Sequence, residues 1–370
     1  RDDGARAWTT PFGDDFGSED VALHIDAPSS TQVACAAPAC VGRIVGLWWQ
    51  QPDDTLLILK REGPAHSQTA LYRWRAGAPR RILLTEALLA DCSIMPAGLV
   101  CARETATEPK HLVLISPTSG KIQRLFDPNP EFVGLKFGTV ERLHWKNSLG
   151  LESYGDLVLP PNHRPGQRHP LVVVQYRGRG FLRGGTGDEY PIHLLAQRGF
   201  AVLSFDRPAD AATLHRPADD VAFQKAGVAG WADRRSVLDA LETGVRRVIA
   251  KGVVDPDRIG LTGLSDGAST VQFALVNSRL FAAAAMSTCC EEASSLALAG
   301  PSLLERWQAA GWPATSDRAD AFWKSFSLIR NADAISIPVL MQLADDEVLL
   351  ALEAYSALRD RHQPVDLFVF

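Results

Sequence analysis

The chain has 370 residues, 46% hydrophobic and 22% charged, with a formal net charge of −5. That balance lacks the basic surplus of a nucleic-acid binder, and no run of about 18 apolar residues is present to span a bilayer. The length suits two domains.

The chain opens Arg1-Asp2-Asp3-Gly4 with neither methionine nor signal peptide, so residues are expected before Arg1 and export stays open. Six cysteines fall in three close pairs: Cys35 with Cys40, Cys92 with Cys101, and Cys289 beside Cys290. The first two spacings suit disulfides and an oxidising compartment such as a periplasm. Free thiols buried in β-structure are the alternative, and the compartment is left at periplasm or cytoplasm. Adjacent cysteines bond only through a strained ring, so Cys289 and Cys290 are expected as thiols. No cysteine–histidine cluster has zinc spacing, and neither a metal nor an organic cofactor is expected.

Residues 20 to about 135 read as short strands between turns, and two stretches copy each other. DTLLILKRE (54–62) is followed by TALYRWRAG (69–77), and AGLVCARE (97–104) by KHLVLISPTSG (110–120). Arg61-Glu62 recurs as Arg103-Glu104 at an offset of 42, and Leu71 recurs as Leu112 at an offset of 41. A period of about 40 to 50 with four short strands per unit is the pattern of β-propeller blades. A β-sandwich has short strands too but need not repeat at a fixed offset. Residues 1–135 hold roughly three blades, against about four to eight in a closed propeller. An incomplete N-terminal β-propeller is therefore expected, with further blades before Arg1.

From residue 136 the rhythm changes. LHWKNSLGLESYGDLVLP (143–160) precedes a polar turn and the apolar run LVVVQY (171–176). GFAVLSF (199–205) leads to a helix over 231–250 that places Val237, Leu241, Val245 and Val248 on one face. IGLT (259–262) precedes a helix from about 267, followed by FAAAAM (281–286) and a helical insert over 301–330. IPVLMQL (337–343), a helix near 348–360 and VDLFVF (365–370) complete the order. Continuous apolar strands alternating with amphipathic helices predict a mostly parallel sheet covered on both faces, an α/β-hydrolase catalytic domain over 136–370.

Gly263-Leu264-Ser265-Asp266-Gly267 fits G-x-S-x-G with a strand before and a helix after. A nucleophile on so sharp a turn is forced into a strained backbone conformation, and only small neighbours let strand and helix approach. Ser265 is the expected nucleophile, and the Asp266 amide, at a helix N-terminus, an expected oxyanion donor. In this fold the triad runs serine, acid, histidine, so the acid follows a later strand. Asp345, just after IPVLMQL, is that acid; Asp346 and Glu347 are expected to cap the next helix. Of nine histidines only His362 comes after Asp345, and it precedes the last strand, at the wrong end of the sheet. The catalytic histidine is therefore expected beyond Phe370, leaving the catalytic domain truncated before it. Tyr176, ending LVVVQY, is the second expected oxyanion donor. The loop behind it, RGRGFLRGGTGDEYP (177–191), offers Arg177, Arg179 and Arg183 to a substrate carboxylate or to Asp188 and Glu189. Its glycines lack the spacing of a phosphate loop.

At these residues the chain resembles the prolyl oligopeptidase family of serine peptidases. VDPDRIGLTGLSDGAS (254–269) is close to that family's nucleophile block, and IPVLMQLADDEV (337–348) matches its acid block with Asp345 in the aspartate's place. Tyr176 stands where the family has its oxyanion tyrosine. Met341-Gln342 replaces the usual His-Gly, and the oxyanion loop is longer than usual. That loop, followed by GFAVLSFDRP, is similar to the family's lasso-peptide isopeptidase branch of proteobacteria. The resemblance implies a propeller stacked on an α/β-hydrolase domain, with the threaded substrate recognised between them. It also implies hydrolysis of the isopeptide bond joining a lasso peptide's N-terminal amine to an aspartate or glutamate side chain. The expected partner is a peptide, with no nucleic acid and no membrane. The alternatives are a general oligopeptidase or dipeptidyl peptidase acting on linear peptides, a small-ester hydrolase, and an inactive peptide-binding protein.

Overall fold

The computed structural model describes residues 5–370 except 14–16, 18, 28–29, 36, 52–54, 76–77, 176–180, 182–189, 299 and 314–318. It separates into two compact units after Lys136.

In the first unit β1 (Arg6–Pro11), β2 (Val21–Ala27), β3 (Ser30–Ala34), β4 (Val41–Gln50), β5 (Thr55–Glu62), β6 (Gln68–Arg75) and β7 (Ala78–Thr85) form one sheet. A second sheet is the antiparallel meander β8 (Leu88–Met95), β9 (Gly98–Glu104), β10 (His111–Ile115) and β11 (Ile122–Phe126). β4 to β7 and β8 to β11 are consecutive propeller-type meanders, and the copied segments occupy equivalent strands of them. Arg61 and Arg103 lie on the second strand of each, Leu71 and Leu112 on the third. Alternate residues of these strands, Leu57, Leu59, Leu71, Leu99, Val113 and Ile115, meet in one buried cluster shared by both meanders.

Disulfides join Cys35 to Cys40 and, between β8 and β9, Cys92 to Cys101. Cys289 and Cys290, expected as thiols, are also joined. The peptide bond between them is cis.

The second unit is built on an eight-stranded sheet. Its strands are β12 (Val140–Lys146), β13 (Glu152–Val158), β14 (His169–Gln175), β15 (Ala201–Asp206), β16 (Val254–Leu264), β17 (Ala283–Ser287), β18 (Val339–Leu343) and β19 (Val365–Val369). The spatial order is β12-β13-β15-β14-β16-β17-β18-β19, parallel from β15 onward, the α/β-hydrolase arrangement. Eight helices accompany it among the described residues: α1 (Ile192–Gln197), α2 (Asp220–Val228), α3 (Ala232–Ala250), α4 (Asp266–Asn277), α5 (Ala293–Leu298), α6 (Pro301–Ala309), α7 (Asp320–Lys324) and α8 (Val348–Asp360).

The apolar stripe of α3 behaves as its spacing implies: Val237, Leu241, Val245 and Val248 are all fully buried in the main core. The insert between β17 and β18 is held by Trp231, whose ring lies 4.4 Å from those of Phe322 and Phe326. Its indole N–H also donates to the Phe322 carbonyl at 2.9 Å. Because β14 to β19 run parallel, the residues that follow each strand gather at one edge of the sheet. That edge receives the residues after Asp206, Leu264, Ser287 and Leu343.

Candidate active site

β16 ends at Leu264 and α4 begins at Asp266, leaving exposed Ser265 alone in the turn. Its φ of 55° and ψ of −118° are a conformation a non-glycine residue rarely holds, at a cost on the order of 1–3 kcal/mol. Two main-chain bonds brace it. The Ser265 N–H donates to the Ser287 carbonyl, and its own carbonyl accepts from the Ser269 N–H, both at 3.1 Å.

The flanking glycines are required by space. A Cβ on Gly263 would lie 2.3 Å from the carbonyl of Gly267, and one on Gly267 would lie 2.0 Å from the carbonyl oxygen of Gln175. No side-chain rotation relieves either clash, because both obstacles are main chain. The turn is therefore as tight as the motif requires, with α4 drawn against the ends of β14 and β16.

The Asp266 carboxylate is gripped by two arginines. Arg207, directly after β15, reaches it at 2.9 and 3.1 Å, while its other guanidinium nitrogen bonds Asp233 at 2.5 Å. Arg234, in the first turn of α3, meets the carboxylate at 2.8 Å and also donates to the Asp266 carbonyl and the Thr270 hydroxyl, each at 3.2 Å. Burial alone would raise the Asp266 pKa; the Arg234 and Arg207 charges overcome it and hold the group at about 2. Burial opposes the Arg207 charge, but Asp233 and Asp266 hold its pKa above the ordinary arginine value. Nearby Asp210 is pushed up to about 6, by burial first and then by the charge of Asp233.

Asp345 follows β18 at the same sheet edge as Ser265, exposed in the turn closed by the Glu347 N–H on the Ala344 carbonyl at 3.1 Å. Glu347 stands at the N-cap of α8 but makes no capping hydrogen bond through its side chain, unlike the role expected of it. Its carboxylate still favours the positive helix end through space. His362 is exposed just past the end of α8 and before β19, on the opposite edge. Tyr176, Arg177, Arg179 and Arg183 lie outside the described residues. β14 is described to Gln175, which pairs with Gly263, is fully buried, and has no partner among the described residues for either side-chain amide atom.

Sequence reasoning missed Arg207, Asp233 and Arg234. The signal was an Asp-Arg-Pro immediately after an apolar strand, on the edge where Ser265 was expected. It also missed the loop after β17, where Glu291 accepts from the Ser269 hydroxyl at 2.6 Å. There buried Glu292 accepts from the Leu328 and Ile329 N–H groups at 2.7 and 3.3 Å, its pKa raised by burial to about 7. Among the described residues no group of three or more metal-binding side chains gathers, and no helix is long and apolar enough to cross a membrane.

Residues 190–370 match the sequence profile of the prolyl oligopeptidase family. The chain is 43% identical over 343 residues to the lasso peptide isopeptidase AtxE2 of Asticcacaulis excentricus, covering 91% of this chain and 49% of that protein. Among solved structures, an AtxE2 variant with Astexin3-dC4 bound superposes with a TM-score of 0.94 at 38% identity, over 100% of this chain and 57% of that one. The acylaminoacyl peptidase of Pyrococcus horikoshii shares the fold, with a TM-score of 0.68 at 18% identity, over 99% of this chain and 57% of that one. This chain spans about half the length of the relative it matches.

Proposed function

We propose, for a chain whose residues 190–370 match the sequence profile of the prolyl oligopeptidase family, that the protein is a serine peptidase. Its proposed reaction is hydrolysis of the isopeptide bond of a lasso peptide to the linear peptide. The observation that carries this reading is the 43% identity to a lasso peptide isopeptidase, extending across the strand–turn–helix that holds Ser265.

In this reading the Ser265 hydroxyl attacks the isopeptide carbonyl. A histidine expected after β19 takes its proton, and Asp345 orients that histidine and favours its charged form. The Asp266 N–H and the Tyr176 hydroxyl receive the oxyanion, each such donor contributing about 3 kcal/mol. The strained φ at Ser265 supports the assignment, because a turn this costly persists only where surrounding structure holds it. Collapse of the tetrahedral intermediate expels the peptide's N-terminal amine, protonated by the histidine. Water then adds to the acyl-enzyme and frees the aspartate or glutamate carboxylate. Arg177, Arg179 and Arg183 are assigned to substrate carboxylates. The three disulfides support an oxidising compartment, the periplasm in this reading.

The test is mass spectrometry of a native lasso peptide incubated with the full-length gene product. The expected result is gain of one water by the wild type and none with Ser265→Ala. An unchanged lasso peptide, with linear proline-containing peptides cleaved instead, refutes the isopeptidase reading and leaves a general oligopeptidase.

A further inference from the structure

A carboxylate in the first turn of a helix ordinarily turns back to accept from the free N–H groups there. Asp266 is the first residue of α4 and is held ionised, yet among the described residues the partners of its carboxylate are guanidinium groups, those of Arg207 and Arg234. The N-cap residue, Ser265, makes no side-chain capping bond either. The N–H groups at the start of α4 are thereby kept clear of the protein's own acceptors on the side chains that stand nearest.

We propose that Arg207 and Arg234 are positioning residues for the oxyanion-binding amide of Asp266. The proposal rests on the reading of Ser265 as nucleophile and of the Asp266 N–H as oxyanion donor. Arg234 holds Asp266 at both ends, carboxylate and main-chain carbonyl, and so sets the tilt of the residue. Arg207 pulls the same carboxylate towards Asp233, which is itself fixed by the Ala211 N–H at 3.2 Å. Arg207 directly follows the last residue of β15 and Arg234 stands in the first turn of α3, so the grip is referred to the sheet and helix. They also cancel a negative charge that would otherwise sit beside a developing oxyanion. Without them the free carboxylate folds back onto the N-terminal amides of α4 and competes with the substrate oxygen for the same donors.

The test uses the full-length gene product turning over a lasso peptide, with kcat and KM measured separately and melting followed in parallel. Arg234→Gln is expected to lower kcat roughly 100-fold, as losing an oxyanion donor does, while KM stays within about twofold. Adding Asp266→Ala to that variant removes the competing carboxylate, and kcat is expected to rise to that of Asp266→Ala alone. A structural role predicts lowered melting without this recovery of kcat. Arg234→Lys keeps one charged contact and serves if the glutamine variant does not fold; its kcat is expected to fall roughly tenfold. Wild-type kcat in a folded Arg234 variant overturns the proposal, as does a loss that Asp266→Ala fails to relieve. If Ser265→Ala retains turnover, the underlying reading falls instead.

Discussion

Gly267→Ala is the most direct test of the idea that close backbone packing holds Ser265 in place. The added Cβ would stand 2.0 Å from the Gln175 carbonyl oxygen and 3.1 Å from its carbon. Helix and strand must part by about 1.4 Å to reach ordinary contact at 3.4 Å. The obstacle cannot rotate away, because β14 is paired to β15 on one side and β16 on the other. Overpacking of this kind costs about 1–3 kcal/mol, and a displacement of about 1 Å at a reacting group costs about 100-fold in rate. The expected outcome is a roughly 100-fold fall in kcat/KM with a Tm lower by roughly 2–12 °C, taking about 2–4 °C per kcal/mol for a domain of this size. Gly260→Ala is the control: it lies on β16, the strand that leads into Ser265, but its Cβ meets nothing closer than 3.8 Å. Lasso-peptide turnover and labelling of Ser265 by a fluorophosphonate both report the effect. Wild-type kcat/KM in Gly267→Ala would refute the argument that the turn's tightness sets the serine's position.

Three further outcomes follow from groups away from the nucleophile. The folded protein holds the Glu292 proton more tightly than the unfolded chain, because burial raises its pKa from 4.5 to about 7. Stability should therefore fall by roughly 3 kcal/mol as pH rises across that window, and Glu292→Gln should flatten the slope in urea titrations at several pH values. Arg142 makes two hydrogen bonds of 2.8 Å to Asp156, with both side chains buried. Arg142→Ala should cost about 3–5 kcal/mol by stranding the aspartate, and Arg142→Met with Asp156→Leu should recover most of it. No free cysteine is present among the described residues, so the denatured, unreduced protein should take up no maleimide. Uptake of the reagent would count against the oxidising-compartment assignment.

Local signals carried far in this chain. The offset of 42 between Arg61-Glu62 and Arg103-Glu104 works because each meander is a self-contained hydrogen-bonded unit, so equivalent residues fall on equivalent strands. The helical spacing of Val237, Leu241, Val245 and Val248 works because one face of α3 meets the sheet. Gly263 was legible because the atoms it would strike belong to Gly267 and Ala268, a few residues on, whereas Gly267 answers to the Gln175 carbonyl on β14 and only the motif marked it. The bond between Cys289 and Cys290 was not legible, since adjacency in the sequence argued for thiols. Glu292 reads as a surface acid in sequence, and only the insert returning at Leu328 buries it.

The arginine grip on Asp266 marks the boundary of sequence reasoning more sharply. Its members come from positions 207, 233, 234 and 266, on three elements whose convergence depends on strand order, and no local periodicity encodes that order. Yet the carboxylate sits at one of the two positions that a G-x-S-x-G pattern leaves free, and a negative charge is awkward beside a developing oxyanion. A residue ill suited to its local position is evidence that a distant partner is present. Applied to Asp266, that rule asks for cations at the carboxyl edge of the sheet, and Arg207, directly after the β15 strand, is one.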